Sequence, residues 1–185
     1  MNKDQYSKSI ELFVTFFNIG KAKFAPGTWG SLAAYPFLFI LGIVIILTSI
    51  FITSLQNPYI ILGILLTILT VLFFVGSKFS QIYVEHNGKE DPKEIVIDEV
   101  VGQGLVILAA IAINLPYFKT YSYFECGINI WMLPFFLFRL FDIIKPWPIS
   151  WIDANVKGGI GVMLDDLIAG IISIIIYYNI FFLMH

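Results

Sequence analysis

Long apolar runs dominate the chain, at residues 32–55, 59–77, 99–118, 122–142 and 164–184, with charged residues confined to their ends. About 20 apolar residues in a helix cross a hydrocarbon core of about 30 Å, so each run is a candidate span. The fourth reaches that length only if residues 121–124 contribute. Between the first two, Gln56-Asn57-Pro58 reads as a tight hairpin turn. Ile and Phe are abundant and suit strands too, but the runs are about twice a barrel strand's length and lack apolar–polar alternation. The pattern predicts an all-α, polytopic membrane helix bundle of about five spans, one domain over residues 1–185. Ahead of the first span, residues 6–17 are expected to form a short helix on the membrane interface. They do not read as a secretory signal, because Asp4 and Glu11 interrupt the segment and no small-residue cleavage site follows.

Composition agrees with this reading. Of 185 residues, 58% are apolar and 13% charged, more oil than a soluble globule of this size can bury. The same aliphatic load excludes disorder. A single cysteine, Cys126, excludes a disulfide scaffold and a multi-cysteine metal site. A net charge of −2 gives no bias toward nucleic acid. With five spans, ten of the eleven basic residues fall on the side of the N-terminus, leaving only Lys119 on the other. Positive charge marks the cytoplasmic side, so the N-terminus is expected there and the C-terminus outside.

The acids gather on that same side. Asp98-Glu99 opens the third run, Asp142 ends the fourth, Asp153 lies in the following loop, and Asp165-Asp166 opens the fifth. Each has an ordinary explanation alone: first-turn acids complement a helix dipole for about 0.3–1 kcal/mol, and Arg139 and Asp142 at i, i+3 can pair along a helix. Together they crowd one membrane face with carboxylates from distant segments, and two adjacent acids exceed what a helix start needs. A bound divalent cation turns that repulsion into attraction. Only oxygen donors are on offer, since His86 and His185 are separated by the whole membrane region, and such donors suit Mg²⁺, Mn²⁺ or Ca²⁺ rather than Zn²⁺. Adjacent helical residues point about 100° apart, so one member of each pair is expected to touch the ion and the other to support it. The two acidic openings also resemble each other, each with a small residue (Gly102, Ala169) four positions after its first Asp. Small residues let membrane helices approach closely, so the third and fifth spans are expected to pair.

Cations and turns complete the set. Two prolines stiffen Lys145-Pro146-Trp147-Pro148 after Asp142. Lys157-Gly158-Gly159-Ile160-Gly161 precedes the fifth span, where backbone N–H groups could hold phosphate oxygens. Ala25-Pro26-Gly27-Thr28-Trp29-Gly30-Ser31 gives a flexible, hydroxyl-bearing approach to the first span. The candidate phosphate-binding residues are therefore Arg139, Lys145, Lys157, Gly27, Thr28 and Ser31. Trp29, Trp147 and Trp151 suit the interfacial belt.

These motifs resemble the phosphatidylglycerophosphatase A family. The likeness rests on Asp91-Pro92, Glu94-Ile95-Val96 and Asp98-Glu99; then on Phe138-Arg139, Phe141-Asp142-Ile143 and Lys145-Pro146-Trp147-Pro148-Ile149; then on Gly158-Gly159, Gly161, Met163 and Asp165-Asp166, with the Ala25–Ser31 stretch upstream. The motifs follow in order over essentially the whole chain. The resemblance implies a bacterial inner-membrane lipid phosphatase that depends on Mg²⁺ and converts phosphatidylglycerophosphate to phosphatidylglycerol at the cytoplasmic face. It carries over Asp98, Glu99, Asp142, Asp165 and Asp166 as catalytic and metal-binding acids, with Arg139 and Lys145 as their basic partners.

The residues themselves point to compatible chemistry. Cys126 has no Arg six positions on, no Asp-x-Asp pair exists, and histidine is scarce. Metal-assisted attack by water is left as the favoured route, with an Asp nucleophile behind it. Two other classes use similar residues. A carboxylate-lined cation transporter would carry its acids near the bilayer midplane, whereas these lie at span ends, and a metal-dependent phospholipid transferase would need an acceptor alcohol.

Overall fold

A computed structural model describes residues 7–48, 57–88, 92–118, 120, 125 and 127–184, which are almost entirely helical and include no strand. The first helix, α1, spans Lys8–Val14 and is capped by Ser7, whose side chain accepts from the Ile10 N–H. Rather than lying free on an interface, α1 buries Ile10 and Val14, and Phe13 packs edge-to-face on Phe79 with ring centres 5.2 Å apart.

Among the described residues, five helices are long and apolar enough to cross a membrane. They are built on α2 (Pro26–Thr48), α3 (Pro58–Asn87), α4 (Ile97–Asn114), α5 (Leu133–Ile144) and α7 (Gly158–Met184), with the short α6 (Ile149–Asn155) between the last two. A 3₁₀ turn at Leu115–Tyr117 lengthens α4, and a π-helical stretch at Gly127–Met132 leads into α5. The fourth span thus runs Gly127–Ile144. Its C-terminal end lies two residues past the expected end at Asp142; residues 121–124 lie outside the described residues.

Helix starts obey caps and tertiary contacts more than hydropathy. Pro26 opens α2, where a fixed φ is pre-organised and the missing N–H costs nothing. Gly27, Thr28 and Ser31 are therefore helical, not flexible. Asn57 caps α3 by accepting from the Tyr59 N–H at 2.9 Å; Gln56 lies outside the described residues. The 30 residues of α3 reach about 45 Å, overshooting the hydrocarbon core. The opening of α7 moves furthest from expectation. It begins at Gly158, so Asp165-Asp166 lie about two turns inside the helix rather than at its start. The reason is contact with α3: a side chain on Gly159 would overlap the Ser77 carbonyl, and the Gly159 N–H donates to Gln81 Oε1 at 2.7 Å. That packing overrides glycine's poor helix propensity, and it leaves Gly159 no N–H for a phosphate.

At the centre of the bundle, α4 packs against α2, α3, α5 and α7. The α4–α7 approach is close: a Cβ on Gly102 would come within 2.8 Å of the Asp166 carbonyl, and one on Gly170 within 3.0 Å of the Gly102 carbonyl. The small residue that matters in α7 is thus Gly170; neighbouring Ala169 packs instead with Val106, Phe138 and Ile149. Hydrogen bonds tie the spans further. Tyr35 donates to the Trp131 carbonyl at 2.6 Å, Asn114 donates to Tyr177 Oη at 2.5 Å, and Tyr177 donates to the Asn129 carbonyl at 2.8 Å. Such interhelical bonds contribute about 0.6–2 kcal/mol each in membranes. In this up–down arrangement α2, α4 and α7 begin at one end, and α3 and α5 finish there.

Candidate active site

That shared end encloses a cavity of about 470 Å³. Its wall takes Gly27 from α2, Asp98 and Glu99 from α4, Arg139 and Asp142 from α5, Lys145 just beyond, Asp153 from α6, and Lys157, Asp165 and Asp166 from α7 and its approach. All five sequence-predicted acids therefore face one space. Thr28 and Ser31 do not line it, and Asp91 lies outside the described residues.

The acids divide into two groups. Carboxylate oxygens of Asp98, Glu99 and Asp166 lie within 4.8 Å of one another. Asp98 and Glu99 both reach the cluster. Asp98 also folds back to accept from the Glu99 N–H at 3.0 Å, and Asp165 does the same to Asp166 at 3.0 Å. Asp165 then turns its other oxygen to Lys145, 2.6 Å away, and leaves the cluster to Asp166. One pair thus contributes both members and the other contributes one.

Two cations face these acids. Arg139 Nη1 donates to Asp142 Oδ2, one helical turn on, and to Ser31 Oγ at 3.3 Å. Ser31 in turn donates to the Gly27 carbonyl at 2.9 Å. Ser31 therefore fixes the guanidinium from behind the wall. Lys145 ends α5 in a left-handed conformation, its N–H donating to the Phe141 carbonyl at 2.9 Å. Its ammonium bridges Asp165 and Asp153, the latter at 2.8 Å. Burial pulls the Lys145 pKa down, but hydrogen bonds to Asp153 and Asp165, with their charges, outweigh it and hold the pKa above its ordinary value. Lys157 lines the mouth and is exposed.

The donor set fits a hard divalent cation. Two full negative charges 4.8 Å apart repel by on the order of 3 kcal/mol at an effective dielectric of about 20. Three carboxylates so close are stable together only with protons or a cation between them. Glu99 Oε2 is buried with no hydrogen-bond partner, a cost that a metal ligand does not bear. Oxygen-only donors suit Mg²⁺.

The sequence places Asp153 with the other acids but in a loop; it rides instead on α6 and reaches Lys145 eight positions back. Gln81 sits far away in sequence and gave no signal, yet it holds the start of α7.

Comparison with known proteins gives the family. A sequence model described as Phosphatidylglycerophosphatase A matches residues 12–181. The chain is 32% identical over 172 residues to phosphatidylglycerophosphatase A of Escherichia coli K12, covering 93% of this chain and 83% of the relative. It is 34% identical over 173 residues to the Haemophilus influenzae protein of the same name, covering 92% and 88%. It is also 32% identical over 165 residues, 89% of each chain, to a Bacteroides thetaiotaomicron protein whose name suggests a phosphatidylinositol-3-phosphatase. No solved structure matches the chain. With a family match that begins in α1 and ends in α7, and relatives of that name at 32–34% identity over most of the chain, the chain belongs to the phosphatidylglycerophosphatase A family of phosphatases.

Proposed function

We propose that the chain removes the terminal phosphate monoester of phosphatidylglycerophosphate, giving phosphatidylglycerol and inorganic phosphate, with Mg²⁺ as cofactor. The observation that carries this reading is the meeting of Asp98, Glu99 and Asp166 with Arg139 and Lys145 in one cavity. The reaction is assigned to the cytoplasmic face of a bacterial inner membrane. The basic residues around the cavity end (Lys21, Lys23, Lys93, Arg139, Lys145 and Lys157) support that orientation.

Asp98, Glu99 and Asp166 would hold the cation, which supplies Lewis-acid polarisation of the phosphoryl group when bound. Arg139, oriented by Asp142 and Ser31, presents N–H groups to the oxygens of the transferring phosphoryl. Lys145, at the end of the same helix, adds a point charge to the cavity wall. Asp142 and Asp165 stand outside the three-carboxylate cluster, and one of them takes the proton of the attacking water. Only the headgroup enters; the acyl chains stay in the bilayer beside the spans.

The test is phosphate release by the purified protein in micelles from phosphatidylglycerophosphate, phosphatidic acid and lysophosphatidic acid. Wild type is expected to prefer the first, and Asp98→Asn and Asp165→Asn to lose about 100-fold or more in kcat/KM. Wild-type rates from both variants would remove the proposed site.

A further inference from the structure

Lys145 stands between two carboxylates that differ in exposure. Its ammonium is 2.6 Å from Asp165, whose side chain is 10% exposed, and 2.8 Å from Asp153, whose side chain is 46% exposed. The α6 helix that carries Asp153 is anchored from below. Ile149 and Ile152 are buried, and Ile149 packs with Val106, Phe138 and Ala169. Asp153 is therefore fixed at the cavity mouth by its helix, independently of Lys145. The two ion pairs do not cost the same to break. An exposed pair is weak and readily parted, whereas parting a buried one strands a charge. A phosphate monoester brings about two negative charges against the carboxylate's one, and the mouth that Asp153 lines is its way in.

We propose that Asp153 occupies, on Lys145, the position that the substrate phosphate takes during turnover. Asp153 is a place-holder, resting on the phosphatase reading above: it keeps the ammonium at the rim between turnovers and yields it to the incoming dianion. Asp165 stays bound throughout. Removing the Asp153 charge removes the competitor, so phosphate binds more tightly, and only while Lys145 is present.

Wild type, Asp153→Asn, Lys145→Gln and the double variant are compared, with KM taken from phosphatidylglycerol formation and phosphate affinity from calorimetric titration with inorganic phosphate and Mg²⁺. For Asp153→Asn, KM and the phosphate Kd are expected to fall about fivefold, the equivalent of one exposed ion pair, with a smaller change in kcat. In the Lys145→Gln background the same substitution is expected to change neither affinity. A raised KM that Asp153→Glu restores would overturn the proposal, because Asp153 would then orient Lys145 for substrate. An equal gain in the Lys145→Gln background would overturn it too, as a general charge effect. Unchanged constants in Asp153→Asn, with wild type active, sink this proposal alone; an inactive wild type sinks the phosphatase reading with it.

Discussion

Asp98, Glu99 and Asp166 show how little of a side chain's partner choice is set by its neighbours in sequence. Asp165 and Asp166 are chemically alike, but the α7 helix turns one toward Lys145 and the other toward α4. That split is decided by helix phase, which sequence supplies only when the helix start is known. Lys145 carries a pH consequence. Its pKa is raised above the ordinary 10.5, so the stabilisation from its pairing is complete below that value and is lost only as pH rises through the raised one. Lys145 is thus expected to add no basic limb to kcat/KM from about pH 6 to about pH 9. A limb near about pH 8 in wild type that vanishes in Lys145→Arg would contradict the assignment.

Among the elements, the apolar runs were legible because lipid demands long uncharged segments, and five helices answer to them. Their ends were less legible. The run 32–55 marks where apolar residues become unbroken, whereas α2 already starts at Pro26, whose fixed φ suits a first helical position. Gly158 and Gly159 carry the composition of a turn, yet they form a helix because α3 presses on them. The acids were legible as a group, since burying so many at one face has no cheap structural purpose. The pairing of Asp153 with Lys145 was not, because it depends on α6 folding back under Lys145. Glycine positions give a direct check on the packing. Gly102→Ala pushes a methyl to 2.7 Å from the Phe138 ring and 2.8 Å from the Asp166 carbonyl, while a methyl on Gly42 meets nothing within 4 Å. Gly102→Ala is expected to destabilise by about 1–3 kcal/mol, and Gly42→Ala to leave stability level or raise it by up to about 1 kcal/mol. Thermal unfolding in detergent measures both, and equal effects would refute the close α4–α7 approach.

The whole molecule is a lipid-facing bundle with a charged chamber at the end where α2, α4 and α7 begin. Its apolar surface and its polar site answer different needs: exposed side chains such as Phe74 and Phe182 suit acyl chains, while the chamber collects the acids together with Arg139, Lys145 and further lysines. Bringing a phosphate dianion into a chamber lined by so many carboxylates requires charge compensation, and Arg139 and Lys145 are already engaged by those carboxylates. Cation and substrate are therefore expected to bind cooperatively. The most direct test strips the purified protein with EDTA, follows phosphate release from phosphatidylglycerophosphate, and then restores Mg²⁺. The account predicts that release falls to background on stripping and recovers with Mg²⁺; full activity in protein shown by elemental analysis to be free of divalent metal would contradict it.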